Sequence, residues 1–125
     1  MPRNVDTNQT EFDQLIIVDD KDIVVDHYTL AAGHVIIRGM ALGMVTATKK
    51  LIPCDSAAGD GSNVIYAVAV RDVDTSATGK NADVVSPVYV EGVFNSKAMT
   101  FAGADTSDTH KVNARKVGIY FQAAI

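Results

Sequence analysis

Short apolar runs separated by glycines follow one another from residue 30 onward. Runs at 34–38, 40–46 and 49–53 lead into a turn at 57–62 that contains two glycines. Strands of four to eight residues with turns at such short intervals are typical of compact β-barrels and sandwiches. The sequence therefore predicts a mostly β fold with a small barrel-like domain, in which the run at 49–53 is a short edge strand that ends at its proline.

The run at 63–73 carries the strongest core signal. Apolar side chains occupy both alternating sets of positions between residues 64 and 70, which predicts a strand that is buried on both faces. A second long strand is expected at 84–94. Within it, Pro87 removes a backbone donor and indicates an edge or a bulge, and Gly92 predicts a sharp bend.

One short helix is predicted near the C-terminus, from about Ser107 to Lys116. Thr106 or Ser107 is the expected N-cap, and Gly118 follows the helix end. The closing run at 117–125 is expected to be a strand docked in a sheet or an interface. Strand positions expected in the core or at a contact between subunits are Tyr66, Val68, Pro87, Tyr89, Phe94, Tyr120 and Phe121.

Charge is distributed unevenly along the 125 residues. Residues 1–26 carry seven acidic side chains and two basic ones, a net −5, whereas the remaining eight acidic and nine basic side chains give +1. The first 13 residues are polar and have no core of their own. We therefore predict an extended acidic N-terminal arm at 1–26 in front of a β domain at 27–125, with a more basic partner for the arm.

Two short β-branched runs, at 15–18 and 23–25, lie in this arm on either side of four turn-forming residues. They can pair with each other as a hairpin. Equally, each can add to the edge of a sheet in another chain, because extended apolar segments with unpaired backbone groups are templates for strand addition.

Composition excludes several classes of function. A net charge of −4 without a concentrated basic surface argues against nucleic-acid binding. No stretch approaches the roughly 20 apolar residues of a membrane span, and the N-terminus lacks a hydrophobic signal region, which predicts a protein made in a cytosol. Since 47% of residues are hydrophobic, some apolar surface is expected to face other subunits.

Candidate chemical motifs all favour structural interpretations. Cys54 is the only cysteine, so neither an internal disulfide nor a cysteine-based zinc cluster is available. The stretch at 78–81 resembles the end of a P-loop, but it lacks the first glycine and the Ser or Thr that binds magnesium. Asp72 and Asp74 can bind a cation, although strand-end carboxylates at a turn are commoner. We predict no catalytic residue, no metal and no cofactor, and a protein that binds other subunits.

Five segments, in their order along the chain, resemble the head decoration protein family of tailed bacteriophages, to which the phage lambda decoration protein belongs. The resemblance covers roughly residues 28–125 and rests on the order of the segments, since no single one is diagnostic. They are residues 30–33 (LAAG), 37–43 (IRGMALG), 66–70 (YAVAV), 87–95 (PVYVEGVFN) and 118–121 (GIYF).

The resemblance implies a β-clip-like fold and a homotrimer that sits at threefold sites of the expanded head. Such trimers cement the shell against the pressure of packaged DNA, on the outer surface of the virion, after synthesis in the host cytoplasm. The implied partners are the major capsid protein and other copies of the chain, with no small-molecule substrate. The N-terminal arm adds a strand to the capsid protein, and the residues expected to dock there are Phe12, Leu15, Ile16, Ile17, Val18, Ile23, Val24 and Val25.

Two other functions remain open from the sequence. A trimeric β-clip nucleotide hydrolase would share the architecture, but it would need a phosphate- and metal-binding cluster between subunits. A phage adhesion module that binds host sugars is the third alternative.

Overall fold

The computed structural model describes residues 15–16, 23–79 and 81–122. These ranges contain strands, one α-helix and a 3₁₀ turn at Ser96–Ala98. The elements are β1 (Val24–Leu30), β2 (Val35–Ile36), β3 (Ala41–Met44), β4 (Leu51–Pro53), β5 (Ile65–Ala69), β6 (Val73–Asp74), β7 (Val84–Asn95), α1 (Ser107–Lys116) and β8 (Ile119–Gln122). The mostly β prediction is confirmed.

Five of these strands close into a small barrel. The order is β1-β4-β3-β5-β7, and β7 pairs back onto β1. The contacts are antiparallel except for the parallel pairing of β1 with β4, which consists of Leu30 opposite Leu51. Closure pairs the backbone groups that an open sheet would leave at its edges. The predicted barrel-like domain is confirmed.

The edge position predicted for the run at 49–53 is wrong. Leu51 lies opposite Met44 of β3 on one side and opposite Leu30 of β1 on the other. Pro53 is tolerated because it is the last residue of β4, where the ladder ends. This closure could not be predicted, because the second partner of Leu51 is Leu30, which lies in the segment next to the expected free arm.

The strand β7 belongs to the barrel through its pairing with β1 and β5, and it then pairs with β8. Its first part pairs with β1 as far as Glu91, and from Gly92 onward it pairs in parallel with β8. Gly92 adopts a φ of +151°, and an added Cβ would lie 3.1 Å from Cζ of Phe94. Both the backbone conformation and the close aromatic ring require glycine where β7 changes partner. Pro87 pairs with His27 of β1, just before the pairing with β5 begins at Val88.

Two apolar clusters make up the core. The first fills the barrel and draws residues from all five of its strands, namely Leu30, Leu42, Leu51, Ala67, Ala69 and Val88, together with Ile36 of β2. The second lies where α1 and β8 cover the barrel and consists of Leu15, Ala41, Cys54, Ile65, Val68, Tyr89, Phe94, Met99, Ala114, Ile119 and Phe121. Because β5 contributes Ala67 and Ala69 to one cluster and Val68 to the other, its predicted burial on both faces is confirmed.

The predicted helix is confirmed at Ser107–Lys116. The backbone N–H of Thr106, its N-cap, donates to Oγ1 of Thr109 at 3.0 Å. Gly118 follows the helix with a φ of +89°, which allows the chain to turn directly into β8. The predicted closing strand begins at Ile119, and residues 123–125 lie outside the described ranges.

Candidate interaction surface

Leu15 and Ile16 lie against the C-terminal part of β7. The carbonyl oxygen of Leu15 accepts a hydrogen bond from the backbone N–H of Asn95 at 2.7 Å, and Ile16 forms an antiparallel bridge with Phe94. The Leu15 side chain is 1% exposed and belongs to the core cluster beneath α1. Leu15 therefore anchors the N-terminal segment in the chain's own core, and its side chain is not available to dock on another subunit in this structure.

The other docking residues predicted in the arm separate into two groups. Phe12, Ile17 and Val18 lie outside the described residues. Ile23, Val24 and Val25 are exposed, and the last two lie in β1 opposite Glu91 and Tyr89 of β7. The predicted boundary between residues 26 and 27 thus falls inside β1, because the β-branched run at 23–25 finds its backbone partners in β7 of the same chain.

The outward-facing side of the β1–β7 pair presents apolar side chains to solvent. Residues directly opposite each other in an antiparallel pair point to the same face. Val88 fills the barrel, so the flanking position Pro87 and its partner His27 face outward, as do Val85 and its partner Thr29. Val85 is 62% exposed and Val25 is 48% exposed. We call this surface, formed by Val25, His27, Thr29, Val85 and Pro87, the β1–β7 outer face.

Tyr89, which follows the β1–β7 outer face along β7, is tied into the core. An Arg38 guanidinium nitrogen donates to the Tyr89 hydroxyl at 3.0 Å and to the carbonyl oxygen of Val70 at 2.7 Å. The guanidinium carbon also lies 5.7 Å from the centre of the Tyr89 ring. These contacts hold the Tyr89 side chain in place at the end of the β1–β7 outer face.

The remaining core or contact candidates differ in burial. Val68, Phe94 and Phe121 are buried within the chain, whereas Tyr66, Pro87 and Tyr120 are half-buried. The Tyr66 hydroxyl lies 2.9 Å from the hydroxyl of Tyr28, and this hydrogen bond, together with burial, raises the pKa of Tyr28 to about 12. The half-buried residues are the ones that retain surface for a contact with another subunit.

A buried polar cluster that was not predicted from the sequence connects α1 to two loops. Sγ of Cys54 lies 3.8 Å from Nδ1 of His110, whose Nε2 lies 2.9 Å from Oδ2 of Asp105. The Ser56 hydroxyl and backbone N–H both donate to the same carboxylate. The ring of Phe101 stacks on His110 with a centroid distance of 5.9 Å. The only available signal was an aspartate before the N-cap, five residues from a histidine in the helix.

This cluster has the residue types of a nucleophilic site but the environment of a structural one. Cys54 is fully buried, and burial raises the pKa of its thiol to about 12, with smaller contributions from Asp105 and Asp55. A neutral, inaccessible thiol is a poor nucleophile. Hydrogen bonds from Ser56, and then from His110, lower the pKa of Asp105 below its ordinary value. The arrangement stabilises the loops around α1.

The loop after β6 is closed by its own hydrogen bonds. Asp74 accepts from the backbone N–H of Ser76 at 2.9 Å and from the Ser76 and Thr78 hydroxyls, which lowers the pKa of its carboxyl. Asp72 accepts from the backbone N–H of Arg38 at 2.8 Å. Each carboxylate therefore accepts from the backbone of a turn, Asp74 in its own loop and Asp72 at Arg38 between β2 and β3, a role that is common for aspartates. Beside them lies an open depression of about 600 Å³.

Within residues 15–16, 23–79 and 81–122, no group of three or more His, Cys, Asp or Glu side chains is placed to hold a metal ion. The described part of the chain also contains no helix long and apolar enough to cross a membrane.

Comparison with known proteins points to one family. The family profile described as Bacteriophage lambda head decoration protein D matches residues 5–118, which is nearly the whole chain. No curated protein matches the sequence. The match includes every barrel strand, the helix and the β1–β7 outer face. The chain therefore belongs to the family of the bacteriophage lambda head decoration protein D, a family of structural proteins that associate with the phage capsid.

Proposed function

We propose that the protein cements the head of a tailed bacteriophage by binding as a homotrimer at threefold sites on the outside of the expanded capsid. In this role it stabilises the shell against the pressure of packaged DNA. The observation that carries the proposal is the family match over residues 5–118. The apolar side chains of the β1–β7 outer face support a role that depends on contact with other protein subunits.

We propose that the N-terminal arm and the neighbouring outer face bind the major capsid protein together. Ile23, Val24 and Val25 are exposed where β1 begins, and the arm enters the body at Leu15, which is anchored against β7. Phe12, Ile17 and Val18 keep their proposed role in strand addition to the capsid protein. An arm that is anchored in the core suits a protein that cements the capsid, because a force on the arm is transmitted directly to the core.

Contacts between copies are assigned to the half-buried candidates outside the β1–β7 outer face. Tyr66 and Tyr120 retain accessible surface there, whereas Pro87, also half-buried, belongs to the proposed contact with the capsid protein. Val68 and Phe94 are fully buried within one chain, so they act on a trimer only by holding the fold. Three arms on one trimer would bind together, and multivalency of this kind raises the apparent affinity by about 10² to 10⁴ when the geometry lets all of them engage.

Removal of residues 1–14 tests the role of the arm while leaving the Leu15 anchor in place. Expanded heads of the cognate phage, stripped of decoration protein, would be incubated with full-length or shortened chain and sedimented. We expect the shortened chain to bind at least 10-fold more weakly, whereas equal binding would remove the arm from the contact. Circular dichroism of the shortened chain serves as the control for folding.

A further inference from the structure

A histidine lies in the middle of the β1–β7 outer face. His27 of β1 is exposed and pairs with Pro87 of β7. Val25, which is 48% exposed, lies two residues before His27 on the same face, and Val85, which is 62% exposed, lies two residues before Pro87. Of the five residues that define this face, His27 is the one that can take up a proton.

The ring of His27 makes no hydrogen bond and no ion pair within the part of the chain that the structure describes. Its backbone N–H donates to Oδ1 of Asp26 at 2.8 Å, but this contact does not involve the imidazole. The ring nitrogens of His27 are therefore hydrated when the outer face is exposed to water.

No charged side chain of β1 or β7 lies beside this ring. Asp26 alternates with His27 along β1, and its partner on β7 is Val88, which points into the barrel. Glu91, the only charged residue of β7, lies four positions beyond the partner of His27. It packs against Gly118, where an added Cβ would lie 2.9 Å from Cγ of Glu91.

The other neighbours of β1 add no charge to the outer face. Tyr28 also alternates with the histidine, and its hydroxyl is bonded to that of Tyr66. The strand β4, which meets β1 at Leu51, contains no charged residue, and Lys50 just before it is paired with Asp83. The ring therefore lies among uncharged side chains of the described residues.

Covering such a face favours the uncharged form of the ring. A free imidazole takes up a proton near about pH 6.5. An imidazolium that is removed from water without an anion beside it is strongly disfavoured, whereas a neutral ring tolerates a mainly apolar contact. A protein surface that complements two exposed valines and a proline is itself mainly apolar.

We propose that His27 makes attachment to the capsid protein sensitive to pH, with the neutral ring as the form that binds. Below about pH 6.5 the bound chain then carries fewer protons than the free chain, so acid shifts the equilibrium toward free protein. The capsid surface opposite His27 accordingly presents no carboxylate. This inference rests on the proposed function, because it assumes that the β1–β7 outer face contacts the capsid protein.

Sedimentation of expanded, undecorated heads with the full chain at pH 7.5, 6.5 and 5.5 tests the proposal. A ring that must lose its proton in order to bind lowers the apparent affinity by about 10-fold between pH 7.5 and pH 5.5. His27→Gln keeps a polar side chain but cannot be charged, so we expect its affinity to be the same at all three pH values.

His34→Gln is the matched control, because His34 precedes β2 and lies outside the outer face. This variant should keep the 10-fold loss. Circular dichroism at pH 5.5 checks that each chain is folded. A parent chain that binds equally or more tightly at pH 5.5, or a His27→Gln chain that keeps the full loss, would overturn the proposal. A parent chain that does not bind heads at pH 7.5 would contradict the proposed function, and this inference with it.

Discussion

His110 is the residue on which the polar cluster beneath α1 depends. Its two ring nitrogens face a thiol and a carboxylate, and the ring stacks on Phe101 while being 1% exposed. The sequence predicted a helix that contains His110, and Cys54 is its only cysteine. The contact between them could not be predicted, because residues 54 and 110 are brought together only by the closure of the barrel and the docking of α1.

Replacement of His110 by alanine should destabilise the fold. The change removes a stacked ring and leaves the Cys54 thiol and the Asp105 carboxylate without this partner, at an expected cost of about 2–4 kcal/mol in the free energy of unfolding. Urea denaturation would measure it. His27→Ala, at an exposed position on the β1–β7 outer face, is the matched control and should change the unfolding free energy by less than about 0.5 kcal/mol.

Asp105 should make the stability of the fold sensitive to acid. Its pKa is lower in the folded state than the ordinary value of 3.8, chiefly because Ser56 donates to it. A lowered carboxyl pKa stabilises the fold above the ordinary value, and this stabilisation is lost as the pH falls from about 4 through the folded-state pKa.

The variant Asp105→Asn isolates this contribution from that of other aspartates, such as Asp60 and Asp74, whose pKa values are also lowered. Thermal melting between pH 6 and pH 2.5 should show a smaller acid-induced fall in midpoint for the variant than for the parent chain. Parallel curves would contradict the assignment.

Among the elements, short sequence signals predicted those that depend mainly on neighbouring residues. The helix appears with its predicted bounds because its cap and its terminal glycine are encoded within a few residues. The double-sided strand β5 is evident from its composition. The pairing partners of residues 15–16 and 23–25 could not be predicted, because a β-branched run has the same pattern whether it pairs with its own chain or with another. Leu15 and Val24, which lie within the predicted arm, both pair with β7 of the β domain in the structure.

Leu15→Ala tests whether this short segment belongs to the folded body. Truncation of a fully buried leucine leaves a cavity next to Phe94 and Gly39, and we expect a loss of about 2–5 kcal/mol in the free energy of unfolding. Val35→Ala, at an exposed strand position, should cost less than about 0.5 kcal/mol. A leucine variant as stable as the parent chain would show that the anchor contributes nothing to the fold.

For the whole molecule, the barrel is a rigid support that displays apolar side chains on one outer face. Its fold class and its family were accessible from the sequence because glycine-separated strands recur in a fixed order. The β1–β7 outer face could be predicted from the sequence only in part. Val25 lay in a predicted docking run, but Val85 was anticipated only as a position in a strand, since its exposure depends on which side of β7 faces the barrel.

The double variant V25S/V85S should weaken attachment to heads without weakening the fold. Both side chains are exposed, so their replacement by serine removes apolar contact area but leaves no cavity in the chain. We expect binding to expanded heads to fall at least 10-fold, with an unchanged urea midpoint. A second exposed valine, Val64, supplies the control: V64S should bind heads as the parent chain does.

The proposed attachment at threefold sites can be observed by electron cryomicroscopy of expanded, undecorated heads of the cognate phage after incubation with the protein. We expect added density on the outer surface at the threefold positions, in three copies per site, with the β1–β7 outer face against the capsid protein. Bare threefold sites at saturating protein concentration, on heads confirmed to be expanded, would contradict it.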